Sequence, residues 1–166
     1  MTPVAVAGVL AGAVVGAALA GSALLVLGLR RRNPAVVGAV TRLQRSTLNP
    51  RQLERAGSPG ARMSVVGHRG RRSGRHYRTP VGVRETGDAF LVLLPYGPGT
   101  DWVRNVRAAE GATLRHGGRT MDVDRPELVP VAAVARDLTV GDRATARLFG
   151  IREVLVLRPA TEAGRR

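Results

Sequence analysis

The chain has no cysteine and no lysine, and its 166 residues include only one Trp, two Tyr and two Phe. Missing thiols exclude disulfides, thiolate nucleophiles and thiolate metal sites, so any redox chemistry must come from a cofactor. Scarce aromatics argue against nucleic acid as a partner, because stacking platforms are lacking. His68, His76 and His116 show no ligand spacing and no close carboxylate, which argues against a metal site. Acidic residues are thin in one stretch: from Arg30 to Arg84 there are fourteen arginines and one acidic residue, Glu54. The rest of the chain holds twelve arginines and eleven acidic residues, so nearly all of the net charge of +14 lies in one third of the sequence. That third is expected to face something anionic: lipid head groups, nucleic acid, or a phosphorylated or carboxylated ligand.

What the chain does have begins with an apolar run. Pro3 to Leu29 carries no charged side chain, and Arg30-Arg31-Arg32 follow at once. As a helix the run would be roughly 40 Å long, enough to span a bilayer with some tilt. The expectation is a single-pass anchor in the cell membrane over residues 1–32. Its basic flank would hold the rest of the chain in the cytoplasm and leave the N-terminus outside. A cleaved secretory signal ending near Ala18-Leu19-Ala20 is the alternative. No basic residue precedes the run and it continues for nine residues beyond Ala20, which favours the anchor. Gly8, Gly12 and Gly16 form a doubled GxxxG ridge, the basis for expecting a homodimer.

Residues 33–60 read as an amphipathic helical linker. Asn33-Pro34 opens a helix with Val36, Val37, Val40 and Leu43 on one face; Asn49-Pro50 restarts a short helical piece; Gly57-Ser58-Pro59-Gly60 ends it. A single domain is expected over 61–160, with a tail over 161–166. Strands are predicted over Met63–Val66, Tyr77–Arg84, Ala89–Leu94, Ala112–Arg115, Arg119–Val123 and Ile151–Leu157. Turn signals at Thr86-Gly87-Asp88 and Gly117-Gly118 predict two hairpins. The apolar run Val154 to Leu157 predicts a strand buried on both faces. Helices are predicted from Thr100 or Asp101 to near Ala109, over Val131–Leu138 and over Arg143–Phe149. About six strands with short helices suggest an α+β fold built on a small antiparallel barrel.

The loop Gly70-Arg71-Arg72-Ser73-Gly74 has the ingredients of an anion cradle. Its glycines permit tight backbone geometry, Ser73 adds a hydroxyl, and the paired arginines offer charge-assisted hydrogen bonds. A solvated basic hairpin end is the plainer alternative. The loop lacks the lysine of a Walker loop and the third glycine of a dinucleotide fingerprint.

Thr79-Pro80 follows in the next strand, Pro95-Tyr96-Gly97-Pro98-Gly99 follows an apolar strand, and Asp101-Trp102-Val103-Arg104-Asn105 opens a helix. In this order the segments resemble the deazaflavin-dependent nitroreductase family over roughly Ser64 to Val123. Members are small split β-barrel proteins, similar in shape to FMN-binding barrels, that bind coenzyme F420 and pass its hydride to quinones, nitro compounds or other acceptors. The resemblance implies that Arg71, Arg72 and Ser73 hold the phosphate of the coenzyme tail, while Tyr77, Arg78, Thr79, Pro80, Val81 and Gly82 lie along it. It implies that Leu93, Leu94, Pro95 and Tyr96 approach the deazaflavin ring, and that Asp101, Trp102, Val103, Arg104 and Asn105 close over it. Tyr96 is the candidate for proton delivery, with ring contact or a plain loop aromatic as alternatives. Members often have a small-residue turn where this chain has Leu94-Pro95-Tyr96, and tyrosines around the acceptor where the only aromatic after Trp102 is Phe149. Flavin mononucleotide stays open as a second cofactor, since a phosphate loop alone does not separate the two. A non-catalytic, membrane-tethered basic module that binds anionic lipid or, with fewer aromatics than stacking needs, nucleic acid is the alternative function.

Overall fold

The alternating and apolar segments of the chain pair into one antiparallel sheet. The structure, a computed structural model, describes residues 21–47, 53 and 55–160, with only the backbone described over 41–47. Residues 21–30 form helix α1, Pro34–Thr47 helix α2, Ser64–Arg69 strand β1, His76–Val81 β2, Val83–Glu85 β3 and Phe90–Leu93 β4. Asp101–Ala108 forms helix α3, Gly111–His116 strand β5, Arg119–Pro130 β6, Val140–Phe149 helix α4 and Glu153–Pro159 β7. The seven strands are ordered β2-β1-β5-β6-β7-β4-β3, every neighbouring pair antiparallel.

Strands β2 and β3 lie at opposite margins of this sheet, yet only Gly82 separates them in the chain. Laid flat, seven strands would place those margins roughly 29 Å apart, whereas one intervening residue spans about 7 Å. The sheet must therefore curl until its margins approach, which makes it a curled antiparallel half-barrel. The expected single strand Tyr77–Arg84 is thus two strands, and the total is seven, not about six. Residue alternation runs unbroken through Gly82, so the bend leaves no mark on the pattern.

Both predicted hairpins form. Thr86 closes the β3–β4 turn by donating its backbone N–H to Ala89 O at 2.8 Å. Gly117 and Gly118 turn β5 into β6 with φ of 57° and 84°, values that glycine adopts without strain.

Two apolar layers sandwich the β4–β7 pair. Val66, Phe90, Val92, Leu114, Leu155 and Leu157 point inside the curl, where Val103 and Val106 of α3 close it off. Leu91, Val154 and Val156 point outward and are covered by Leu138, Val131 and Val134. The expected two-sided burial of the last strand is therefore present. Each fully buried side chain of this size contributes about 1.5–3 kcal/mol of burial free energy. The predicted helix over Val131–Leu138 is not formed as such. Only Val131–Val134 winds, as a short 3-10 turn after Pro130, because its apolar side chains lie flat over the outer face of β4 and β7. Helix α4 is set by a capping box between Thr139 and Asp142, and Arg84 pairs with Asp142 at 3.0 Å. Partial burial pushes the Asp142 carboxyl upward, but the Thr139 hydroxyl and N–H and the Arg84 guanidinium outweigh it and hold the group below the ordinary carboxylate range.

Among the described residues no helix is long and apolar enough to cross a membrane. Residues 1–20 of the expected anchor, with the Gly8-Gly12-Gly16 ridge, lie outside the described residues. So do Asn49-Pro50 and the tail over 161–166. Helix α1 leaves Leu24, Leu25 and Leu27 exposed and buries Leu29.

Candidate functional site

The loop between β1 and β2 is held tightly by its own backbone. Gly70 N–H donates to Arg75 O at 2.8 Å, and Gly74 N–H donates to Gly70 O at 2.8 Å. Arg69 Nε donates to Gly74 O at 2.8 Å. Gly74 has φ of 66°, the left-handed region that favours glycine. A Cβ on Gly70 would come within 2.5 Å of Ser73 Oγ and 2.8 Å of the Tyr77 ring, so a side chain there would displace both. The glycines do what the sequence pattern requires of them.

Helix α3 supplies the other wall. Val103 and Val106 fix it in the core, which turns Asp101 and Asn105, one helical turn apart, toward the loop. Arg71 Nη1 donates to Asp101 Oδ1 at 3.1 Å and to Asn105 Oδ1 at 2.9 Å. The Arg71 backbone N–H adds a bond to Asn105 Oδ1 at 3.2 Å. These donors fix the orientation of the Asn105 amide, whose nitrogen then faces His68 Nδ1 at 3.3 Å. An amide nitrogen only donates, so Nδ1 of His68 must be the acceptor and Nε2 must bear the proton. Nε2 therefore donates to Thr79 Oγ1, 3.0 Å away. Burial pushes the His68 pKa below its ordinary value, consistent with this neutral tautomer. Tyr77 stacks on His68 with ring centroids 5.7 Å apart, and its hydroxyl is 3.2 Å from Ser73 Oγ.

One continuous network thus joins Asp101, Arg71, Asn105, His68 and Thr79, with Tyr77 and Ser73 alongside. His68 sits at its centre, and sequence reasoning set that residue aside along with the other histidines. Its partners are eleven and 37 positions away, so no local spacing could have signalled it.

The two arginines of the loop differ in their partners. Arg71 is engaged by a carboxylate that α3 brings from 30 positions away. Arg72 is exposed, and among the described residues its side chain has no hydrogen bond or ion pair. The same holds for the side chains of Arg75 and Arg78, so among the described residues three exposed arginines of the loop and β2 have no carboxylate partner. Val81, Leu94 and Val103 have their side chains in the core, so only their backbones can meet a ligand. Gly82 is the joint between β2 and β3. Pro80, Leu93, Pro95, Tyr96 and Trp102 are half-buried, with Trp102 packed against the inner core and Leu93 against the outer layer. Arg104 is exposed beside Gly99. Asn105 braces Arg71 and His68, while Thr100 Oγ1 lies 3.5 Å from Gly97 O in the loop before the helix.

The other histidine network is built differently. Ser64 Oγ and His116 Nδ1 are 2.6 Å apart, and His116 Nε2 faces Glu85 at 3.5 Å. Ser64 is only 3% exposed, so this Ser-His-Glu arrangement presents no nucleophile to a substrate. Among the described residues no group of His, Asp or Glu could hold a metal ion.

Residues 39–152 match the model of a family described as F420H(2)-dependent quinone reductase. Among solved structures, the chain is similar to a domain-swapped dimer at 14% identity and TM-score 0.48, covering 58% of this chain and 80% of that one. It is similar to an F420 reductase at 13% identity and TM-score 0.40, covering 60% and 86%. A third is an F420-H2 dependent reductase, FDR-A, at 11% identity and TM-score 0.39, covering 58% and 94%. No curated protein matches the chain. The family match takes in the 70–75 loop, the 94–99 loop and α3, and it names a deazaflavin coenzyme, not flavin mononucleotide, and an enzyme, not a passive basic module. The chain belongs to the F420H(2)-dependent quinone reductase family and is an oxidoreductase that uses coenzyme F420.

Proposed function

We propose that the 70–75 loop receives the phosphate-bearing tail of coenzyme F420, and that a quinone-type acceptor is reduced beside the loop that follows β4. The observation behind this reading is the asymmetry of the two arginines. Arg71 is locked onto α3, whereas Arg72 is exposed beside the Ser73 hydroxyl with Arg75 and Arg78 near it in the chain. A locked arginine fixes loop to helix; a free one is available to an anion. These residues suit the phosphate and carboxylates of the coenzyme tail.

When bound, the reduced coenzyme supplies a hydride from its deazaflavin ring. The chain's own tasks are positional. Arg72 and Ser73 would bind the phosphate, and Tyr77 and Thr79, steadied by His68, would align β2 along the coenzyme. The backbone from Leu93 to Pro95 and the first turn of α3, with Trp102, would bound the ring pocket and limit access of water. Tyr96 would hold a proton at its hydroxyl for the reduced acceptor. Residues 1–32 would tether the domain to the cytoplasmic side of the cell membrane, near a lipid quinone, and the Gly8-Gly12-Gly16 ridge would pair two copies.

Fluorescence titration of the detergent-solubilised protein with coenzyme F420 tests the loop. Arg72→Ala is expected to weaken binding about ten-fold, the equivalent of one charge-assisted contact, with its thermal midpoint unchanged. Unchanged affinity in both Arg72→Ala and Arg71→Ala would remove the loop from the site.

A further inference from the structure

A second concentration of positive charge lies between α1, α4 and the start of β7, and the coenzyme reading leaves it unused. A cavity of about 980 Å³ is walled by Arg30, Arg31, Arg32, Arg143, Arg147 and Arg152, and among the described residues no carboxylate lines it. Local structure engages two of the six guanidinium groups: Arg30 Nη1 donates to Arg147 O at 3.4 Å and Arg143 Nη1 to Ala135 O at 3.0 Å. The side chains of Arg31, Arg32, Arg147 and Arg152 have no hydrogen bond or ion pair among the described residues.

Helix C-termini offer a plainer reason for arginines here, since α1 and α4 both end at this cavity. Each supplies only about half a negative charge, so roughly five positive charges stay unbalanced around one hollow. Arginine does not shed its proton to relieve them. An anion does.

The surroundings narrow the kind of anion. A second hollow of about 500 Å³ shares Leu27 and Arg30 with the first and is otherwise lined by Ser22, Ala23, Val26 and Leu148. Leu148 of this lining is 52% exposed, so the apolar hollow opens to the surface. A cationic compartment that opens onto an apolar one matches a molecule with an anionic head and a hydrocarbon chain. We propose that the two hollows together seat an anionic phospholipid, its phosphate among the arginines and an acyl chain along Val26, Leu27 and Leu148. Inorganic phosphate shares the head-group chemistry but leaves the apolar hollow unfilled. The proposal stands on the two hollows, independent of the loop assignment and of whether residues before α1 span a bilayer.

Calorimetric titration of the full chain in uncharged detergent tests it, with dihexanoylphosphatidylglycerol, dihexanoylphosphatidylcholine and inorganic phosphate as probes. The glycerol lipid is expected to bind about ten-fold more tightly than the choline lipid, and more tightly than phosphate. Arg147→Gln/Arg152→Gln, both exposed positions, should abolish that preference while coenzyme F420 affinity stays unchanged. Arg32 is left intact in this test because it also lies against Gly97 of the 94–99 loop. Equal binding of the two lipids, or a preference that survives the double variant, overturns the proposal. Phosphate binding as tight as the glycerol lipid also overturns it, since the site would then serve a free anion.

Discussion

At the 70–75 loop an arginine meets a carboxylate and an amide presented by α3, whereas between α1, α4 and β7 six arginines line a cavity that no carboxylate among the described residues enters. In the first region charge is used internally, as a fastener that sets a loop, a helix and a neutral histidine in register. In the second, internal partners are two backbone carbonyls and two helix ends, too little to balance it. The same residue type therefore serves architecture at Arg71 and lacks a carboxylate among the described residues in the cavity, a distinction that net charge cannot make.

That contrast can be broken most sharply at Asn105, which joins the fastened region together. Asn105→Ala leaves the Arg71 N–H and His68 Nδ1 without a partner in a buried setting and should cost about 2–3 kcal/mol in denaturant unfolding. A loss below about 0.5 kcal/mol would mean that the network is decorative. Next comes Arg71→Ala, expected to cost about 1–2 kcal/mol, more than an exposed ion pair does because the buried Asn105 oxygen loses one of its two donors.

Smaller again is a pH effect confined to the same region. The lowered pKa of His68 means that the unfolded chain binds a proton more readily than the folded one. Its contribution is complete above about pH 6.5 and is lost as pH falls toward the folded value. His68→Gln should flatten this part of the stability profile; an unchanged profile would place the acid sensitivity elsewhere. The smallest effect has the opposite sign: Arg147→Gln/Arg152→Gln should raise stability by about 0.5 kcal/mol at low salt and by nothing at high salt. A loss of stability would show that those charges are structurally satisfied after all.

Much of the barrel was legible because its signals are local. Glycine turns marked both hairpins, and the apolar run Val154 to Leu157 marked a strand covered on both sides. The bend at Gly82 was hidden because closing a sheet is a property of all seven strands, not of the residues at the joint. Val131–Leu138 looked helical by composition, but its apolar residues are spent covering a sheet face. In the candidate site, the glycine geometry of the 70–75 loop was visible in the sequence and the state of Arg71 was not. Asp101 reaches it only after α3 docks, and His68 acquires meaning only when strand pairing supplies Thr79 and helix packing supplies Asn105.

The single residue between β2 and β3 also sets a tolerance rule for this fold. A Cβ built at Gly82 meets nothing within 4 Å, so the position has room for a larger side chain. What is fixed there is chain length. An added residue would loosen the girth of the half-barrel and slide β2, with Tyr77 and Thr79, out of step with the helix across from it.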